Sequence, residues 1–329
     1  MKKFLVGAAT LVSLMMPWQA SAEDAVSSAE ALLHQMDVAS RELSYELSYI
    51  LIKKNSIEPL RYSHAQIDGE TFAQLVYLSG PPREVIQRGS EVSYFEPGLD
   101  AFTIDSNKMV APLPPMMKVD VDDLAANYDF ISMGRAREAG VACDVVRIAP
   151  KDGTRYSYLL WVANHNNLVM RADLLDRDGE PLEQYRAVSY VVNPKISDVL
   201  KKRLVSVERP VVVQLPPQPQ AELGWKVKWL PQGFESVSRN RHRLLMTERP
   251  VESKMFSDGL FSFSIYVGEA DGFTVREQLV RQGRRTLHSY MKGNVEVTVV
   301  GDIPPATARR VAESVSFTAQ PPAKADAVQ

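Results

Sequence analysis

Two arginine-rich segments hold the densest chemistry in this chain, Arg239-Asn240-Arg241-His242-Arg243 and Arg281-Gln282-Gly283-Arg284-Arg285. A guanidinium is planar, permanently charged and forked, so it suits carboxylates and phosphates. Arg239, Arg241, His242, Arg243, Arg281, Arg284 and Arg285 are therefore candidates for gripping an acidic partner or an anion; the plainer alternative is two solvated faces. Other reactive residues are scattered. His34, His64, His165, His242 and His288 form no H-E-x-x-H pair and flank no cysteine cluster, so no metal site is expected. Asp122-Asp123 and the Asp173, Asp176, Asp178, Glu180 series could pair carboxylates, yet the latter brackets Asp178-Gly179 and reads more simply as a polar turn. No G-x-S-x-G elbow, P-loop or G-x-G-x-x-G occurs, so neither an enzyme nor a cofactor is expected. The single cysteine, Cys143, lies in the strand-like run Val141 to Val146 and reads as a small buried side chain, which leaves stability to burial rather than to disulfides.

Aromatic residues offer a second kind of site. Tyr45, Leu47, Tyr49, Tyr156, Tyr158 and Trp161 stand on predicted strands. Such residues ordinarily fill a core, but on a curved sheet too wide for its own side chains they would line a groove for acyl chains or an extended peptide. The basic segments lack an accompanying RNP-like aromatic strand, which argues against nucleic acid.

The elements that must position these residues begin after a leader. Lys2 and Lys3, an apolar run from Phe4 to Met16 and the small residues Ala20-Ser21-Ala22 predict a secretory signal cleaved after Ala22. That run is too short to span a bilayer, and no cysteine stands nearby to accept lipid, so a soluble mature chain is expected. Its length, roughly 300 residues, suggests two domains. Residues 208–223 are rich in proline, notably Leu215-Pro216-Pro217-Gln218-Pro219, and predict a linker between a domain at 23–207 and a smaller one at 224–318; residues 319–329 read as a disordered tail.

In the first domain Ser27-Ser28-Ala29-Glu30 has the form of a capping box, and Ala29, Leu32, Leu33 and Met36 follow at helical spacing. Leu43 to Leu51 alternates as a half-buried strand, and similar runs recur at 72–78, 83–88, 91–96, 141–148, 156–163, 168–175 and 182–192. Asp68-Gly69, Asp152-Gly153 and Asp178-Gly179 supply hairpin turns. The expected fold is α+β: an unclosed antiparallel β-barrel whose concave side the opening helix covers as a lid, then a small α+β domain. Val110 to Met117, rich in proline and methionine, reads either as a flap over the concave face or as a connection. In the second domain Phe261 to Val267 and Val295 to Val299 alternate as strands, and Pro304-Pro305 opens a helix with Ala308, Val311, Ala312 and Val315 at helical spacing. Charge divides unevenly: 20 Lys and Arg against 27 Asp and Glu over Glu23 to Leu204, a formal −7, but 14 against 10 over Gly224 to Phe317, a formal +4. An acidic ligand is thus drawn to the second domain.

Five segments resemble the RseB/MucB family: Asp152 to Tyr158, Leu174 to Gln184, Ser257 to Ser262, Arg281 to Arg285, and Val299 to Ala308. The resemblance implies a first domain like the LolA and LolB lipoprotein carriers, a periplasmic location, and negative regulation of the envelope-stress sigma-E factor. It further implies binding of the periplasmic region of an anti-sigma factor (RseA/MucA-like), protection of that segment from proteolysis, and release on sensing lipopolysaccharide or another acyl lipid. A periplasmic lipid or lipoprotein carrier is the alternative, and an envelope hydrolase with a non-local site the third reading. Self-association is left open, and the resemblance transfers no catalytic residue.

Overall fold

The computed structural model describes residues 22–214, 222–243, 250–270 and 277–317. The leader, the later part of the predicted linker, the tail and the side chains of His242 and Arg243 lie outside the described residues. Helix α1 (Ala22–Glu42) precedes an antiparallel meander of β1 (Tyr45–Lys53), β2 (Ser56–Ile67), β3 (Glu70–Tyr77), β4 (Glu84–Arg88), β5 (Glu91–Phe95) and β6 (Phe102–Asp105). A crossing segment with one 3-10 turn (Pro115–Lys118) and α2 (Val121–Ala125) leads to a second meander. Its strands are β7 (Tyr128–Glu138), β8 (Val141–Pro150), β9 (Ser157–Ala163), β10 (Val169–Leu175) and β11 (Pro181–Val192). Pairing of β1 with β11 joins the meanders into one eleven-stranded sheet, with β6 and β7 at its two ends. The sheet is unclosed.

Alternation on β1 buries Tyr45, Leu47, Tyr49 and Leu51. Above them α1 presents Ala29, Leu33, Met36 and Ala39, all buried. The helix runs through the Ser27 to Glu30 motif rather than starting at it, because its first turn lies further upstream. The proline and methionine segment is packed. Met109, Leu113 and Met116 are buried, and Tyr49 donates its hydroxyl to the Pro112 carbonyl at 2.6 Å. It is a plug beneath the lid. At the β2–β3 turn Asp68 and Gly69 take φ of 54° and 83°, the left-handed pair that a two-residue hairpin requires.

Helix α3 (Lys195–Ser206) covers the sheet elsewhere, burying Leu200 and Leu204 against Ala65, Phe72 and Ile86. Arg88 donates to the carbonyls of Leu204 and Val207 at 3.0 and 3.2 Å and so satisfies the end of α3. The chain then lays Val211 to Val213 along β6: Thr103 N donates to Val211 O at 2.9 Å and Val213 N to Thr103 O at 2.7 Å. The start of the proline-rich stretch is therefore held to the edge of the sheet.

The second lobe holds β12 (Trp225–Val227), β13 (Glu235–Arg243), β14 (Pro250–Ser257), β15 (Ser262–Glu269), β16 (Glu277–Gln282), β17 (Arg285–Lys292), β18 (Val295–Gly301), α4 (Pro305–Glu313) and β19 (Val315–Phe317). Six strands form an antiparallel sheet in the order β13-β14-β15-β18-β17-β16, and β12 pairs with β19. Phe263, Ile265, Val267, Val297 and Val299 face inward, where α4 adds Ala308, Val311 and Ala312. A side chain at Gly301 would meet the Phe263 Cβ at 2.3 Å, so glycine lets β15 and β18 approach. Among the described residues no helix is long and apolar enough to cross a membrane.

Candidate functional site at the junction of the two lobes

One apolar cluster runs through both lobes without a break. Tyr156, just before β9, and Tyr158, near its start, are where it crosses. Tyr158 stacks on Phe261 of the second lobe, with ring centroids 5.8 Å apart, and Tyr156 donates to the Ile303 carbonyl at 3.2 Å. Beside them lies a buried polar joint. Arg155 Nη1 and Asp258 Oδ2 stand 2.8 Å apart with both side chains fully buried, and Tyr128 donates its hydroxyl to the same Asp258 oxygen at 2.6 Å. Burial pushes the Tyr128 hydroxyl far up, and the neighbouring Asp258 charge adds to the rise. Arg155 also holds Asp152 at 3.1 Å, and Asp152 accepts from the Gln232 N–H of the second lobe at 3.0 Å. Burial alone would raise the Asp152 carboxyl, but the N–H groups of Thr154 and Gln232 outweigh it and hold the group below its ordinary value.

A second set of charges closes the rim. The β16–β17 turn brings Arg284 between Glu183 of β11, at 3.3 Å, and Asp302, at 2.6 Å, while Arg281 reaches Asp176 at 3.3 Å. Burial would lower the Arg284 guanidinium, but Tyr158, Asp302 and Glu183 hold it above its ordinary range. Next to this contact opens a cleft of about 970 Å³ whose walls include Lys53, Lys54, Glu183, Arg284, Arg285 and Asp302. An adjoining cavity of about 440 Å³ shares Lys53, Glu183 and Arg284 with the cleft. It shares Leu113 and Val119 with a third cavity, of about 340 Å³, beneath the lid. Polar junction and apolar interior are thus neighbours.

The candidate arginines therefore divide. Arg281 and Arg284 are engaged across the lobes, Arg285 is exposed and only 3.8 Å from Asp302, and Arg239 and Arg241 are exposed on edge strand β13. Arg241 Nε donates to Glu252, its cross-strand partner, at 2.9 Å. The aromatic candidates do not form one groove either. Tyr45 lines the lid cavity with Tyr62 and His64, Leu47 and Tyr49 pack against Tyr185, Ala187 and the plug, Trp161 lies under Arg171, and Tyr156 with Tyr158 is filled by Phe261. His64 accounts for part of the cavity wall: its Nδ1 sits 3.0 Å from the Leu43 carbonyl, and burial lowers its pKa more than that contact raises it. Glu30, His34 and Asp122 bring three donor atoms within 4.8 Å of one another between α1 and α2, a grouping absent from the sequence reading.

Reading residues by type missed Tyr128, Arg155 and Asp258 because more than a hundred positions separate Asp258 from the other two. A signal was nevertheless present. All five segments that carry the family resemblance meet at this junction: Asp152 to Tyr158, the stretch holding Asp176 and Glu183, the Asp258 turn, the Arg281 hairpin, and the Asp302 to Thr307 run, whose Thr307 donates to the Thr154 carbonyl.

The two-lobed arrangement has solved counterparts. The chain is similar to one in the MucA/MucB complex of Pseudomonas aeruginosa, at 24% identity and a TM-score of 0.70, over 89% of this chain and 100% of that one. It is also similar to a chain in the crystal structure of MucB in complex with MucA(peri), at 25% identity and a TM-score of 0.68, with the same coverage. Residues 28–205 match the MucB/RseB N-terminal domain and residues 219–316 the MucB/RseB C-terminal domain. The Sigma-E factor regulatory protein RseB of Escherichia coli K12 is 47% identical over 290 residues, 88% of this chain and 91% of that protein. The chain belongs to the MucB/RseB family.

Proposed function

We propose that this chain is a periplasmic regulatory binding protein. It holds the periplasmic region of an anti-sigma factor, shields it from proteolysis, and releases it when lipopolysaccharide or another envelope-stress lipid accumulates. The observation that carries this reading is identity of 47% spanning both lobes with a protein named as a sigma-E factor regulator. The solved pairing of MucB with MucA(peri) supplies the class of partner. The site supports binding rather than turnover: its buried charges are matched in pairs and serve to fix two lobes, with none poised as a nucleophile beside a base. Arg239 and Arg241, exposed on an edge strand of the basic lobe, are the proposed partner anchors, with His242 and Arg243 alongside. Tyr45, Leu47 and Tyr49, under the lid and plug, are the proposed acyl contacts; each methylene that displaces water there contributes about 0.8 kcal/mol.

The test is retention of an anti-sigma periplasmic fragment by the purified chain, followed by reciprocal titrations: partner with and without lipid, then lipid with and without partner. Tenfold weaker partner binding in lipid requires tenfold weaker lipid binding in partner, about 1.4 kcal/mol of coupling. Equal lipid affinity for free and complexed protein removes lipid as the release signal. A lipid carrier is the second reading, favoured by the run of cavities from cleft to lid. Lipid capture with no retention of the fragment would select it.

A further inference from the structure

We infer that the cleft between the lobes is a composite phosphate site, built by the tips of two hairpins that face each other from different sheets. The β1–β2 hairpin turns through Lys54-Asn55 and the β16–β17 hairpin through Gly283-Arg284, and both tips line the cleft. Five cations, Lys53, Lys54, Arg281, Arg284 and Arg285, stand in its wall against two carboxylates, Glu183 and Asp302. Both carboxylates are drawn to Arg284, at 3.3 and 2.6 Å, and Arg281 is taken by Asp176. The remaining three cations are nearly uncompensated. Lys53 is 3.9 Å from Glu58, Arg285 is 3.8 Å from Asp302, and among the described residues Lys54 makes no ion pair. The tightly paired arginine thus shapes the wall, while the three loosely compensated cations give the cleft its positive field.

Size and surroundings narrow the ligand. A cleft of about 970 Å³ fits a compact ligand better than an extended chain. Three cations from two directions suit a phosphate, whose oxygens accept several charge-assisted hydrogen bonds at once. The adjoining cavity then offers Leu113 and Val119 to an apolar tail attached to that phosphate. Neither lobe holds the site alone. The phosphate is read at the place where the lobes meet, so its binding stabilises the arrangement that joins them. Only the natural source of the phosphate rests on the lipid-sensing reading above.

The experiment uses the full mature chain without an affinity tag. Inorganic phosphate is titrated calorimetrically, and flotation is measured with phosphatidylcholine vesicles with and without phosphatidylglycerol. Lys54→Ala combined with Arg285→Ala removes two exposed cations from opposite tips, and Lys202→Ala on α3 serves as a control outside the cleft. Saturable phosphate binding that falls about tenfold in the double variant and holds in the control is the expected result. Flotation with phosphatidylglycerol that follows the same pattern assigns the phosphate to a lipid; phosphate binding without flotation assigns it to a soluble ligand and leaves the site standing. Absence of saturable phosphate binding, or equal binding by wild type and double variant, overturns the inference. A glutamate-rich peptide that binds more tightly than phosphate, and is lost in the same double variant, also overturns it by giving the cleft to a protein segment. No anti-sigma fragment is present, so failure here and failure of partner retention are separate results.

Discussion

The two arginine-rich segments have nearly the same composition and opposite surroundings. On β13, Arg239 and Arg241 point from an edge strand into solvent, and Arg241 pairs with Glu252 of the neighbouring strand within its own sheet. On the β16–β17 hairpin, Gly283 takes φ of 59° and the turn carries Arg284 toward the first lobe, where Glu183 is waiting on β11. The difference teaches that the role of an arginine is set by what its strand packs against. An edge strand offers a face to a partner from outside, whereas a hairpin pressed against an acidic strand end spends its arginines on the protein itself.

Four measurements break or sharpen this contrast. The largest effect belongs to the deepest charge of the junction: Asp258→Ala leaves Arg155 buried without its partner and strands the Tyr128 hydroxyl. Urea unfolding is expected to show a loss of about 3 to 5 kcal/mol. Arg284→Ala removes a half-buried group that bridges two carboxylates from two lobes, with an expected loss of about 2 kcal/mol in the same assay. The third test uses pH, which leaves every arginine charged. His64 has a folded pKa lowered from 6.5, chiefly by burial, so the unfolded chain takes up the proton first as pH falls. Stability is therefore fully present above the unfolded value and declines as pH drops through it. His64→Gln is expected to flatten the slope of unfolding free energy between about pH 7 and pH 5, leaving the slope due to His288, which burial lowers in the same direction. An unchanged slope would assign the acid sensitivity to other groups. The smallest effect on stability belongs to Arg241→Ala, at most about 1 kcal/mol for an exposed pair. Its expected signature is weaker, less salt-dependent capture of the anti-sigma fragment. Equal stability losses for Arg241→Ala and Arg284→Ala would erase the distinction between outer and inner arginines.

Much of the sheet could be read from its apolar runs, since β1 and β11 bury every second residue over much of their length, β9 and β10 bury most of theirs, and Asp-Gly turns mark several strand ends. Strand β2 escaped because Pro59 interrupts it and the buried positions include Ser63 and His64, which do not look like core. Strand β7 escaped for the opposite reason: most of its residues are exposed, among them Ile131 and Met133. Helix α3 buries only Leu200 and Leu204, too few to set a periodic pattern. At the candidate site, the tyrosines of β9 were visible as aromatic residues on a strand. That Phe261 of another sheet would fill the space in front of them was not, because alternation reveals which face is covered but not by what. Lys53 and Lys54 carried no signal either, since their meaning comes from the hairpin that faces them.

The pairing of β1 with β11 has a consequence for how the chain is made. Each meander is a stack of local hairpins, but the seam between them joins Tyr45 to Val192 and Lys53 to Glu183. A ribosome releasing residues in order presents β1 long before β11 exists. Until then the hydrogen-bonding side of β1 that faces away from β2 has no strand beside it. Local hairpins form in microseconds, whereas a contact between such distant strands waits on closure of the long chain between them. Assembly of this sheet is therefore limited at its middle, and β1 is the segment whose bare edge a molecular chaperone would need to cover.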